Sequence, residues 1–198
     1  MFDAEVVILG MKLKASILAL VIFAFISFGY AQDNTASQKV NVSVPEVALL
    51  GLVSETQTDV NLNAIAPDEA GSEVKITRQT KGSVWVNYSS VLSKSAKKRK
   101  VIAMVQGEIP EGVVLKVEAS EYSGSGKGRL GKSTGVVTLS NQPSDVIVDI
   151  GSCFTGTGVN NGHCLTYNME QDISSDNFAL LSQAQKSVNV VYTLTDYN

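Results

Sequence analysis

The chain reads as an all-β protein, an antiparallel β-sandwich of immunoglobulin-like or jelly-roll type with one disulfide-closed hairpin loop. Three observations predict this. Val, Thr and Ser recur in short runs of alternating polarity, the period of a half-buried strand. Clusters rich in Gly, Pro, Asn and Asp separate these runs at intervals of roughly 8–15 residues. No long stretch carries the 3.6-residue period of an amphipathic helix, and strands without interleaved helices pair antiparallel.

Before the strands comes a leader. Lys12 and Lys14 precede 17 uncharged residues, 15–31 (ASILALVIFAFISFGYA), and then the polar Gln32-Asp33-Asn34. A basic start, an apolar centre and the small-x-small end Gly29-Tyr30-Ala31 predict a signal peptide over residues 1–31, cleaved after Ala31. Its rival is a retained anchor, since 17 residues lie at the lower edge of spanning length. Residues 1–10 (MFDAEVVILG) are acidic for a leader, whereas Met11 opens an ordinary one, so translation is expected to start at Met11. The remainder, 32–198, is predicted to be a single secreted domain at the cell surface, in the periplasm or free in the medium. Losing the leader removes two basic and two acidic residues and leaves the net charge at −3. A chain of that charge has no general attraction for nucleic acid.

Taken in order, residues 40–44 (VNVSV) alternate as a strand ended by Pro45, and residues 47–53 (VALLGLV) form a continuous apolar run, the pattern of a buried strand. Residues 60–65 (VNLNAI) alternate again, 67–72 (PDEAGS) turn, and Val74 and Ile76 make a short strand before a turn at Lys81-Gly82. In residues 83–91 (SVWVNYSSV), Val84, Val86 and Tyr88 share one face and Trp85, Asn87 and Ser89 the other. Residues 93–100 (SKSAKKRK) read as a solvated loop, 101–105 (VIAMV) as a buried strand, and 113–122 as a strand in which Val113, Leu115 and Val117 alternate. A Gly/Ser-rich loop over 123–135, strands at 136–139 and 145–150, and a strand at 165–169 follow. Residues 176–186 form a short helical turn with Asp176 as its N-cap, and 188–195 (VNVVYTLT) the last strand.

The two cysteines, Cys153 and Cys164, flank a Gly/Asn/Thr-rich loop that also holds the one histidine, His163. In an exported chain they are expected to pair, closing the hairpin with about 2–3 kcal/mol of chain-entropy stabilisation. Three ligands and a Cys-His adjacency do not make a zinc spacing, and ten intervening residues exclude a Cys-x-x-Cys redox pair. A single histidine leaves no Ser-His-Asp or Cys-His arrangement to nominate, and Asp145, Asp149, Asp172 and Asp176 lack the spacing of a calcium loop. No catalytic residue, metal or cofactor is assigned.

Residues Gly126 to Ser133 (GKGRLGKS) match G-x-x-x-x-G-K-[ST] letter for letter. A phosphate cradle also needs a helix after it, and here the strand 136–139 follows, so the match reads as a cationic loop without nucleotide. Lys97, Lys98 and Arg99 are candidate contacts for anionic glycans or lipid headgroups. Trp85, Tyr88 and Phe154 are the aromatic candidates for ligand contact, with burial of Trp85 in the core as the competing expectation. Asn41-Val42-Ser43 and Asn87-Tyr88-Ser89 match the N-glycan sequon inside predicted strands.

The ends carry a resemblance. An alternating strand (Val40, Val42, Val44) on a polar arm and a last strand ending at Tyr197 resemble pilin subunits of the chaperone–usher type. The likeness covers the two ends and the general fold, and departs in the late position of the cysteines. It implies completion of one subunit's sheet by a neighbour's N-terminal strand. The reading is therefore a secreted or surface structural or adhesive protein, a subunit of a surface assembly that self-associates through edge strands. The alternatives are a secreted carbohydrate- or ligand-binding module and an enzyme of unrecognised class.

Overall fold

The structure, a computed structural model, describes residues 10–12, 14–17, 36–56, 58–76, 84–95, 97–172, 174, 179–180 and 186–197. It divides into two compact units, Met1–Ser43 and Val44–Asn198. In the first, residues 10–12 and 14–17 are helical and residues 36–43 carry no strand. Among the described residues no helix is long and apolar enough to cross a membrane. Most of the predicted leader, the turn at 81–82 and most of the helical turn at 176–186 lie outside the described residues.

The second unit holds β1 (Val47–Ser54), β2 (Ala64–Ile65), β3 (Lys75–Ile76), β4 (Val84–Val91), β5 (Lys98–Gln106), β6 (Val113–Ala119), β7 (Lys127–Ser133), β8 (Val136–Thr138), β9 (Ser144–Phe154), β10 (His163–Gln171) and β11 (Asn189–Tyr197). Nine of them form one open antiparallel sheet along the path β11-β5-β9-β4-β10-β6-β8, with β1 on β4 and β7 on β9, while β2 and β3 pair separately.

Strand β4 is the hub. Its eight residues pair without interruption against β1, from Val47↔Val91 to Ser54↔Val84. A strand has only two edges, so β10 and β9 share the other: β10 pairs with Val84–Val86 and β9 with Ser89 and Ser90. The predicted alternation holds here: Val84, Val86 and Tyr88 are buried, with Ser90 beside them. They join Val101, Ala103 and Val105 of β5, Val117 of β6, Ile147 and Ile150 of β9 and Leu165 of β10 in one core. Strands from both ends of the path thus bury against each other. The Tyr167 and Tyr192 hydroxyls, on β10 and β11, meet at 2.7 Å within it.

Several expectations are corrected. Residues 40–44 are not a strand: Val40, Val42 and Val44 are 73%, 83% and 73% exposed in an unpaired segment. Alternation supplies an apolar face, but a strand also needs a partner edge. The run 47–53 is a strand, yet not a buried one, because β1 is bonded on one side alone and leaves Leu49 66% exposed. Only Ala64 and Ile65 of the 60–65 run are paired. The expected loop 123–135 contains a strand, β7, and β5 begins inside the expected basic loop, at Lys98.

That last shift places Arg99 in the interior, 2% exposed. Its Nε donates to Asp196 Oδ1 at 2.7 Å, and its Nη2 to Glu46 Oε1. Its Nη1 reaches the carbonyls of Val47 and Val91 and, at 3.2 Å, the hydroxyl of Ser90. One guanidinium thereby satisfies groups on β1, β4 and β11 and on the residue before β1. Arg99→Met is expected to cost about 3 kcal/mol, because it orphans buried carbonyls and removes two charge-assisted pairs. Asp196→Asn should cost about 1 kcal/mol or less, since that carboxylate is half-exposed. Urea unfolding of the three proteins checks this ranking.

Candidate functional site

The cysteine loop, residues 155–162, joins β9 to β10 and lies against β4. Its expected disulfide is absent: Cys153 and Cys164 are both buried and are not bonded to each other. The register explains why. Cys153 sits opposite Ser90 and Cys164 opposite Trp85, five residues apart on the same edge of β4, or about 16 Å at strand rise. A disulfide needs Cα atoms within about 7 Å. The two also face opposite ways. Cys153 shares the core face with Ser90 and Tyr88, whereas Cys164 shares the other face with Trp85. Burial pushes the Cys153 thiol up to about 11.

Hydrogen bonds hold the loop instead. Tyr88 and Thr155 exchange backbone and hydroxyl bonds: Tyr88 N donates to Thr155 Oγ1 at 3.0 Å, and Thr155 N to Tyr88 O at 3.0 Å. Asn161 accepts from Ser125 N at 3.1 Å, donates to Thr157 O at 2.9 Å, and takes Asn87 Nδ2 on its carbonyl. Gly162 has φ 91°, and a Cβ there would run into the Val86 carbonyl, so only glycine lets the loop close onto β4.

His163 is fully buried at the start of β10. Its Nδ1 lies 2.8 Å from the Ser120 carbonyl, which can only accept, so that nitrogen carries the hydrogen. Nε2 lies 2.9 Å from the Tyr88 hydroxyl, which also reaches the Leu130 carbonyl, and Tyr122 meets the imidazole edge-on. Burial, above all, raises the Tyr88 phenol far above its ordinary value. Neither a nucleophilic Ser or Cys nor a carboxylate is among the hydrogen-bond partners of His163. The cluster joins β4, β10, the 120–126 segment and β7.

The other nominated residues scatter. Trp85 is 9% exposed and Tyr88 3%, so neither offers a ring face to a ligand, while Phe154 is 50% exposed. Lys97 is exposed, Lys98 is bonded to Asp149, and Arg99 is interior. Lys100 is paired with Asp145 at 2.8 Å. The expected basic patch is thus largely neutralised within the fold. Asp149, at φ 62° in a β9 irregularity, has its carboxyl held below the usual range first by the Lys98 hydrogen bond. Among the described residues no group of three or more His, Cys, Asp and Glu side chains is placed to hold a metal ion.

The G-x-x-x-x-G-K-S match is strand β7, pressed against β9. A Cβ at Gly128 (φ 97°) would strike the Ser152 carbonyl, and one at Gly131 would lie 2.7 Å from Ile150. These glycines admit a close backbone, not a phosphate. A cleft of about 250 Å³ lies between β1 and the loop, lined by Leu49, Gly51, Asn87, Ser89 and Thr157. Asn87 Oδ1 is itself inaccessible to solvent and has no hydrogen-bond partner among the described residues. No signal in the sequence marked the His163 cluster, the Arg99 clamp or this cleft, because each joins strands far apart in the chain.

Comparison with known proteins finds no family model, curated protein or solved structure that matches this chain.

Three outcomes follow from this arrangement. Both thiols should resist a disulfide-exchange reagent at pH 8 in the folded protein and react on unfolding. For Cys153 the raised value means stability is fully present below its ordinary 9.0 and is lost as pH rises from there through about 11. Cys153→Ala should flatten that part of the stability–pH curve. Gly128→Ala should lower stability by about 2–3 kcal/mol, through positive φ and the carbonyl clash together.

Proposed function

We propose that the chain is an exported β-sandwich, immunoglobulin-like or jelly-roll in type, that serves as a structural or adhesive subunit of a surface assembly and performs no catalysis. Export proceeds through a signal peptide that ends at Ala31, with translation from Met11. One observation carries the reading. Residues 36–46 hold three exposed alternating valines and make no strand pairing, while the outer edges of β1 and β11 have no partner among the described strands. Such a segment and such edges satisfy each other's backbone groups only if they pair, and in separate copies that pairing links subunits.

Further support comes from Arg99. It anchors Glu46 and the Val47 carbonyl, so the residues that lead into β1 are held in place. A second reading, a secreted carbohydrate-binding module, rests on the cleft of about 250 Å³ between β1 and the loop, whose lining includes Asn87, Ser89 and Thr157.

Light scattering on purified residues 32–198 tests the first reading. The protein is expected to form concentration-dependent oligomers that Val42→Asp reduces to monomers without altering its melting temperature. A protein that stays monomeric at all concentrations, and takes up no peptide of residues 38–46, overturns it.

A further inference from the structure

The β7 edge carries a second surface, independent of the 36–46 segment. Lys127, Arg129 and Lys132 are all exposed on this one strand, and none of them makes an ion pair among the described residues. The nearby acid, Asp149, feels both Arg129 and Lys132, yet it is already bonded to Lys98. The strip therefore keeps a surplus of positive charge on a chain whose net charge is −3.

Its shape is unusual for an idle edge. The carbon stem of Arg129 lies across β9 over Gly151, where a Cβ would sit 2.7 Å from Arg129 Cβ and 2.9 Å from its Cδ. Gly151 thus leaves the track in which that side chain runs. Directly across from Lys127 stands Phe154, 50% exposed, which is paired on its other side with Ser89 of β4. Lysines on an edge strand also discourage sheet-to-sheet pairing. That role requires neither a seated arginine nor an uncovered aromatic ring.

We infer that Lys127, Arg129 and Lys132, with Phe154 beside them, form a docking strip for a single chain of acidic polysaccharide. The cations are spread over the five-residue step from Lys127 to Lys132 on one edge strand, at most about 16 Å, which suits a linear polymer with repeating carboxylate or sulfate groups. Phe154 supplies the apolar surface on which a sugar ring packs its C–H face. A duplex nucleic acid presents two strands and a groove, wider than this strip. Single-stranded nucleic acid uses successive aromatic platforms, and here one ring is exposed.

The experiment uses residues 32–198 on immobilised polygalacturonate and on heparin, which separate carboxylate from sulfate as the recognised group. Wild type is expected to bind one of them with an affinity that falls as salt rises. Lys127→Gln/Arg129→Gln/Lys132→Gln should weaken it at least about tenfold. Phe154→Ala should weaken it several-fold while leaving the salt dependence unchanged. Lys94→Gln/Lys97→Gln, equal in kind but elsewhere, should bind as wild type does. Circular dichroism and melting temperature establish that each variant is folded. The inference is overturned if wild type binds neither polymer, if the Lys94/Lys97 variant loses as much as the β7 variant, if Phe154→Ala has no effect, or if single-stranded DNA binds equally well.

Discussion

The fold turns on where one charge is buried. Arg99 is buried between two lysines of β5, and its Nε, Nη1 and Nη2 all donate to groups from β1, β4 and β11 and from Glu46 just before β1. A guanidinium out of water is costly unless its donors are met, and this one is met by two carboxylates that stay partly in solvent. The carboxylates keep much of their hydration while the cation gains partners, so the desolvation cost falls mainly on one ion. The consequence is geometric. The first and last strands of the folded unit, which do not hydrogen-bond to each other, are tied to one side chain, and their outer edges stay open. A sheet that closed there would have no edge to offer. One that lacked the clamp would have no fixed edge.

The β9–β10 region shows the same economy of means with neutral groups. Where a covalent staple was expected, Thr155, Asn161, Tyr88 and His163 meet backbone groups from four segments. Each such bond contributes only on the order of 1 kcal/mol net, but buried polar groups left unmet cost more, so the network specifies one arrangement of the loop. Glycine makes this possible where backbones approach most closely, at Gly162 against Val86 and at Gly128 against Ser152. The glycines that mimic a phosphate-binding loop, Gly126 and Gly131, serve close contacts of the same kind, against the Phe154 carbonyl and the Ile150 side chain. Redox state has little leverage on such a loop, because the register keeps Cys153 and Cys164 out of each other's reach.

Strand content was legible because alternation and turn residues are local properties. The 83–91 run shows this best: its even positions are the core face, as their pattern requires. Where reading failed, the missing quantity was in each case a partner. Residues 40–44 have a strand's alternation and no neighbour; residues 127–133 have glycines and charges unlike a strand's, and are one because β9 lies alongside. Arg99 looked like one cation in a basic run. Its burial depends on β5 starting three residues earlier than the apolar run, at Lys98, and on carboxylates 53 and 97 positions away.

The sequence by itself determined the class of secondary structure, the antiparallel character of the sheet and the apolar face of its central strand, since period and turn chemistry act over a few residues. Tertiary structure alone decided which edges stay open, which charges are neutralised and whether two cysteines meet. Those outcomes depend on register. Cys153 and Cys164 fall beside residues five apart on β4, facing opposite sides, and no count of the residues between them in the chain contains that distance.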